Sequence, residues 1–346
     1  MVLLKSPKAI TGAACAMSLA VIAAGTYLVA PRPRCLLDTA TRVSETADWA
    51  ETRAGGYTSV NFVLTGNREV IYPRKEGAGR VRLMRKRLGL TRAPSTPLPL
   101  LLPASASAWQ LSPDGRYLVW GADELYVSSI DGAEARQLPA SANRVLWSAD
   151  GCRVVWRAYR PGSPAICSLD VRSGTTVSNP VKIDPSAQAA WQKAPLLHCF
   201  PDDRLRAGFP GWRRLSAPRA APLLFADLDS RNRYLPTHQW QIAPPDGSAG
   251  GLVIPSPDGQ RLLWLASNSS VSGIDAVIHR IWRSYKMRWI SSVSLYVSNA
   301  YGGGMHQIAA DETGRAPGLW MGWRWAPDNK TIAFVAKNGL YTLNAE

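Results

Sequence analysis

Asp114 and Asp150 stand in two nearly identical phrases, LSPDGRYLVW at 111–120 and WSADGCRVVW at 147–156, spaced 36 residues apart. An aspartate between a proline or alanine and a glycine has the chemistry of a general base or a cation ligand. Asp202, Asp258 and Asp328 recur in FPDDRLRAGF, PSPDGQRLLWL and WAPDNKTIAFV, and a degenerate copy, LTGNREVIY, begins at Leu64. A catalytic carboxylate is needed once, whereas a carboxylate repeated between an apolar approach and an alternating segment answers to backbone geometry. Proline fixes φ, aspartate accepts hydrogen bonds from nearby amides, and glycine supplies positive φ. The spacing therefore predicts turn aspartates.

The remaining reactive side chains are dispersed. His198, His238, His279 and His306 fall in separate segments. Asp227-Leu228-Asp229-Ser230-Arg231 begins like a calcium loop, then places arginine where a third oxygen ligand is needed, and lacks the glycine and glutamate. No G-x-S-x-G elbow, Walker loop, dinucleotide fingerprint or HExxH is present. No catalytic residue, cofactor or metal is expected. The five cysteines form no CxxC pair. If 165–170 folds back on 152–157, Cys167 faces Val155 and Cys152 faces Asp170, a stagger of about 10 Å and beyond disulfide reach. Buried free thiols are therefore expected.

A second phrase recurs downstream of the turns: LYVSSIDG at 125–132, ICSLDVRSG at 166–174, LFADLDSRN at 224–232, LYVSNAYGG at 296–303 and LYTLNAE at 340–346, with VRLMRKRLG at 81–89 as the weakest counterpart. Strand, turn, strand, loop, strand and turn, often with a short fourth strand, recur with repeat lengths of 36 to 70 residues. That pattern predicts an all-β, six-bladed β-propeller of four-stranded antiparallel blades over 57–346. A four-stranded sheet cannot bury both faces alone, so the Trp, Tyr, Leu and Val of the phrases pack between neighbours. Residues 31–56 form a linker, in which 39–44 is a candidate strand to complete the last blade and remove its edge.

WRWAPDNKTIAFVAKNGLYTLN at 323–344, with LWSADGCRVVW and LYVSNAYGGGMHQI, resembles the TolB-type, WD-like β-propeller repeats. The resemblance covers about 57–346 and implies the fold. Such propellers occur as binding modules, sensors and peptidase caps, so it leaves activity open. Ala149 and Ala326 depart from the pattern, as do Asn329 and Asp203 at the glycine position, and the copy at 188–237 is heavily altered.

Residues 9–30 carry no charge and come after a short tail, 1–8, with Lys5 and Lys8. At 1.5 Å per residue a helix of that length spans about 33 Å, enough for a bilayer core. The expectation is a transmembrane anchor with a cytoplasmic tail and an extracytoplasmic propeller. A signal cleaved after Gly25 is the alternative. The net charge is +15, with arginine outnumbering lysine 31 to 9. Without a recognition helix, zinc knuckle or RNP-like motif this disfavours nucleic acid and favours an anionic lipid or envelope surface.

The most individual segment is the insert at 268–292. Ile274, Val277, Ile278, Ile281, Trp282, Tyr285 and Trp289 have helical spacing, with Arg280, Arg283 and Lys286 largely off that stripe. Packing on the propeller and a long hairpin are the plainer readings. Arg280, Trp282, Arg283, Lys286, Arg288 and Trp289 are the candidate partner or membrane contacts. Together these features point to a membrane-anchored extracytoplasmic propeller that binds a protein or envelope polymer. A hydrolase or lyase with its site at the channel, and a soluble periplasmic sensor or carrier, are the alternatives.

Overall fold

In the computed structural model the described residues lie within 35–346; residues 1–34, segments 181–195, 214–221, 272–288 and 313–321, and shorter loop stretches fall outside the description. A four-residue helix, α1 (Leu36–Thr39), leads into strand β1 (Thr41–Glu45) and a small hairpin of β2 (Thr52–Ala54) and β3 (Tyr57–Ser59). Among the described residues no helix is long and apolar enough to cross a membrane.

Beyond the hairpin the chain builds six antiparallel sheets. Blade 1 is β4 (Val63–Thr65), β5 (Glu69–Lys75), β6 (Arg80–Arg87) and β7 (Thr96–Pro103). Blade 2 is β8 (Ala108–Leu111), β9 (Tyr117–Gly121), β10 (Leu125–Ser129) and β11 (Arg136–Gln137). Blade 3 is β12 (Val145–Trp147), β13 (Arg153–Ala158), β14 (Ala165–Asp170) and β15 (Thr176–Pro180). Blade 4 joins β16 (Leu196–Cys199), β17 (Leu205–Gly208), β19 (Leu223–Asp229) and β20 (Leu235–Ile242), while β18 (Gly211–Arg213) leaves it. Blade 5 is β21 (Gly250–Pro255), β22 (Arg261–Val271), β23 (Trp289–Asn299) and β24 (His306–Asp311), with β18 added beside β21. Blade 6 is β25 (Arg324–Trp325), β26 (Thr331–Ala336) and β27 (Gly339–Asn344), completed by β1.

The closure is a strand exchange across the ends of the domain. β1 pairs with β27 from Thr41↔Thr342 to Glu45↔Gly339, which covers the edge that blade 6 would otherwise expose. α1 fixes the approach to that strand. Leu36 is fully buried among blade 5 and blade 6 residues, and its backbone N–H donates to the buried Asp311 Oδ2 at 3.2 Å.

Each boundary between blades has its own hydrophobic cluster. Ile71 and Leu83 meet Trp109 and Leu118 between blades 1 and 2, and Val119 and Val127 meet Trp147 and Trp156 between blades 2 and 3. Val155 and Ile166 meet Leu205 and Ala207 next, and Phe225 and Ile242 then meet Val253 and Trp264. Leu263 and Leu295 pack on Trp323 and Phe334, and Leu340 and Ala333 on Tyr72 and Trp49. The alternation of each middle strand thus serves two interfaces, one per face.

The repeated phrases have visible causes. Asp114 Oδ1 accepts from Ser112 Oγ at 2.5 Å and Arg116 N at 3.1 Å, and Asp258 Oδ1 from Ser256 Oγ at 2.6 Å and Gln260 N at 3.0 Å. Asp150 and Asp328 do the same with Cys152 N and with Lys330 and Thr331 N. Gly151 has φ +70°, and Asn329 holds the equivalent left-handed position at φ +59°. In the second phrase the serine matters: Trp120 Nε1–H donates to Ser128 Oγ at 3.1 Å, and Trp264 Nε1–H to Ser298 Oγ at 2.8 Å. Blade 3 has Leu169 in the serine's place, and the buried Trp156 Nε1 has no partner.

Cys35, Cys152, Cys167 and Cys199 form no disulfide; Cys167 and Cys199 are buried as expected, whereas Cys35 and Cys152 are only partly buried. The expected register around them is corrected by one residue: Cys167 faces Trp156 rather than Val155, and Asp170 faces Arg153 rather than Cys152. The hydrogen bond from Ser148 N to Arg153 O closes the turn, so Cys152 still belongs to it and not to the strand.

Candidate functional site

Blade 4, the most altered copy, carries the most polar interior. Its turn closes from Phe200 N to Arg204 O, one residue tighter than Ser112 N to Tyr117 O in blade 2. The deletion shifts the facing of the next strand, so Arg206 occupies the place of Val119, Val155, Leu263 and Ala333, which face the next blade as apolar residues. Register then lines up one row across all four strands: His198 opposite Arg206, Arg206 opposite Asp227, and Asp227 opposite His238.

This row faces blade 5. Arg206, 2% exposed, donates from Nε to Asp227 Oδ1 at 2.8 Å and from Nη2 to Asp227 Oδ2 at 3.1 Å. Its Nη1 donates to the Gly259 carbonyl at 2.7 Å, tying blade 4 to the turn of blade 5. The guanidinium lies 4.9 Å from the Phe200 ring centroid and 5.0 Å from that of Trp240. Both Asp227 oxygens are engaged, so it is an anchor rather than a proton acceptor. Burial, reinforced by the Arg206 charge, pushes His198 down to about 4 against the weaker pull of Asp258 and Asp227, and its Nε2 has no hydrogen-bond partner. Gly259 allows this packing, since a Cβ there would come within 2.6 Å of the His198 ring.

Toward the surface the row ends in rings. His238 meets Tyr301 edge-on at 5.5 Å and Trp240 at 5.1 Å, and Tyr301 is 53% exposed. Beside them Arg204 Nε donates to Asp202 Oδ2 at 2.7 Å. The arrangement can stack and donate hydrogen bonds to a planar group; among the described residues its carboxylates, Asp202 and Asp227, are held by Arg204 and Arg206. Sequence reasoning singled out blade 4 as altered but not Arg206, because the missing turn residue disguises its register. The usable signal is the short count between Phe200 and the strand.

The aspartates of the other turns are absorbed by their turns. Burial alone would raise the carboxyls of Asp150 and Asp328, but hydrogen bonds from Ser148 and Cys152, and from Lys330 and Thr331, hold both below the usual range. Asp229 Oδ1 accepts from Arg231 N within its own turn, and no group of His, Cys, Asp or Glu among the described residues is arranged to hold a metal ion. On the innermost strand of blade 6, Arg324 is solvent-exposed yet sufficiently desolvated by surrounding protein to lower its pKa. Both facts fit a side chain at the axial edge of the sheet, where water and protein are close together.

Arg280, Trp282, Arg283, Lys286, Arg288 and His279 lie outside the described residues, as does the apolar segment 9–30. The flanks of the insert are described, and they are extended. β22 and β23 pair from Arg261↔Asn299 to Val271↔Trp289. The neighbours stop earlier, at Gly250↔Ser267 on one side and Val293↔Asp311 on the other. Pairs from Asn268↔Ser292 to Val271↔Trp289 therefore extend past the pairing of both neighbours as a two-stranded ribbon, about 14 Å long at 3.4 Å per residue. Trp289 begins a strand, so the helical spacing read from Ile274 does not extend to it: the ladder from blade 5 continues through Val271↔Trp289. The ribbon rises from the face opposite the SPDG turns, because the second and third strands of a blade join there. On the same side, β18 pairs with β21 from Gly211↔Leu252 to Arg213↔Gly250.

No protein-family model matches the sequence, and no curated protein matches it. Solved structures similar to it include a protein assigned as TolB from Agrobacterium tumefaciens, at 12% identity and TM-score 0.44, covering 83% of this chain and 92% of the other. The Cps50 (Swd1) β-propeller domain of Myceliophteria thermophila is similar at 13% identity and TM-score 0.45, covering 86% and 99%. An oligogalacturonate lyase in complex with manganese is similar at 14% identity and TM-score 0.44, covering 88% and 98%. The six-bladed propeller itself is defined by the strand order and register of this chain.

Proposed function

We propose that this chain is a membrane-anchored, extracytoplasmic propeller that acts by binding a protein or envelope polymer, with the blade 5 ribbon as its principal contact. The observation that carries this reading is the ribbon of Asn268–Val271 and Trp289–Ser292, which outruns both neighbouring strands. The segment between its two strands carries Arg280, Trp282, Arg283, Lys286 and Arg288 in sequence, and arginine with aromatics is the composition of a contact surface. The net charge of +15 suits an acidic partner approached from solution.

A photo-crosslinking residue at position 270 or 291, in cells making the full chain, tests the contact. A discrete adduct from the ribbon, with none from position 177 on the outer strand of blade 3, is the expected result. Equal labelling at both sites would overturn it. The anchor is tested by alkaline extraction of membranes with intact-mass measurement. The uncleaved chain should stay in the pellet, whereas a soluble chain beginning near Thr26 contradicts anchoring.

A further inference from the structure

The chain enters the propeller beside the foot of the blade 5 ribbon. α1 packs against β24, and Leu36 N–H donates to Asp311 Oδ2 at 3.2 Å. Asp311 ends β24 opposite Val293, and the first ribbon pair, Asn268↔Ser292, is the next rung of the same sheet. Only Pro31-Arg32-Pro33-Arg34 separate Cys35 from the apolar run 9–30. The five Cα–Cα steps from Ala30 to Cys35 reach at most about 18 Å. On the anchored reading, so short a tether keeps the foot of the ribbon close to the bilayer surface.

The ribbon itself offers backbone. β21 last pairs at Gly250↔Ser267 and β24 at Asp311↔Val293, so among the described residues no strand pairs with the outer edge of Ser269–Val271 or of Trp289–Ser291. The ribbon is thus open on both sides, whereas an outermost blade strand such as β15 has one open edge. Neither stretch carries a charge or a proline, the devices that usually guard an open strand. By contrast β7, the outer edge of blade 1, contains Pro97, Pro99 and Pro103, and β1, the outer edge of blade 6, carries Arg42 and Glu45. Unguarded N–H and C=O groups repeating along a strand are matched by a second extended polypeptide. Lipid headgroups and glycans present no such repeat.

We propose that the open edge of the ribbon is a strand-addition site for an extended segment of a protein held in the same membrane. This rests on the anchored, ribbon-binding reading and adds to it the mode of contact and the residence of the partner. The short tether favours such a partner. Two proteins confined to one bilayer meet at a raised effective concentration when the contact lies within the reach of the tether.

Photo-crosslinking residues at 269, 270 and 271, one at a time in cells making the full chain, test the mode of contact. Strand addition predicts that successive positions reach partner residues stepping in one direction along the partner, read by mass spectrometry of the joined peptides. Residence is tested with a site-specific protease site placed between Arg34 and Cys35 and cut after crosslinking. The cut propeller with its adduct should stay in the alkaline-extracted membrane pellet, held there by the partner, while the propeller without adduct moves to the supernatant. An adduct that leaves the pellet with the cut propeller overturns the same-membrane partner and leaves the ribbon contact standing. Adducts to lipid or glycan, or joined peptides scattered without register, overturn strand addition. No adduct from any of the three positions removes the ribbon reading, and this proposal with it.

Discussion

Arg206 shows how one side chain can reorganise a boundary between repeats. In blades 2, 3, 5 and 6 its position is apolar and cements the next blade; here a charge takes it and must be neutralised in place. Arg206→Ala would leave Asp227 buried without its partner, and chemical denaturation should show a loss of about 3–5 kcal/mol. Replacing both, as Arg206→Leu with Asp227→Val, restores the composition of the neighbouring boundaries and should recover most of that loss. Equal destabilisation by the single and double variants would contradict the ion-pair reading. His198 gives the pH dependence. Its folded pKa of about 4 lies below the ordinary 6.5, so the unfolded chain binds the extra proton between those values. Stability should rise with pH across that window by at most about 3 kcal/mol and be lost as pH falls toward 4. In His198→Gln the rise should flatten, which denaturation midpoints at pH 4.5 and 7 would reveal. The sequence exposed the turn aspartates because they repeat, but it hid Arg206 and His198, whose meaning depends on register across four strands.

At the scale of the element, the two phrases were legible because each solves one local problem: a tight turn for the first, a partner for a buried indole for the second. The Trp264–Ser298 bond is the second solution in its most buried form. Ser298→Ala should cost about 1–2 kcal/mol by removing that hydrogen bond, measured as a shift in the urea midpoint at constant slope. Trp156 already lacks such a partner, so Ser168→Ala beside it should have a much smaller effect. The ribbon was less legible. The helical spacing from Ile274 to Tyr285 lies outside the described residues, whereas the flanks at 268–271 and 289–292 continue strands already begun, and local spacing carries no record of that pairing. β18 was invisible for the same reason: three residues from blade 4 are a strand only because β21 offers an edge.

For the whole molecule, the decisive event is closure. A disc of six blades built on nearest-neighbour interfaces has one seam, and β1 with Leu36 and Asp311 fastens it from both sides. Leu36→Asp should open that seam, lowering stability by about 3 kcal/mol or more, and increase proteolysis before residue 46 ahead of global unfolding. The repeat count and the terminal closing strand could be anticipated from the spacing of the turns, since an incomplete last blade demands a partner. The bolt made by Asp311 could not, because it joins residues 275 apart in the chain. The six closed blades form the platform, and among the described residues the blade 5 ribbon outruns it. The measurement that tests the binding account most directly is the yield of the position 270 crosslink in a chain carrying Arg280→Glu, Arg283→Glu, Lys286→Glu and Arg288→Glu. The account predicts that the adduct is lost while the thermal melt is unchanged; an undiminished adduct in the charge-reversed chain would contradict it.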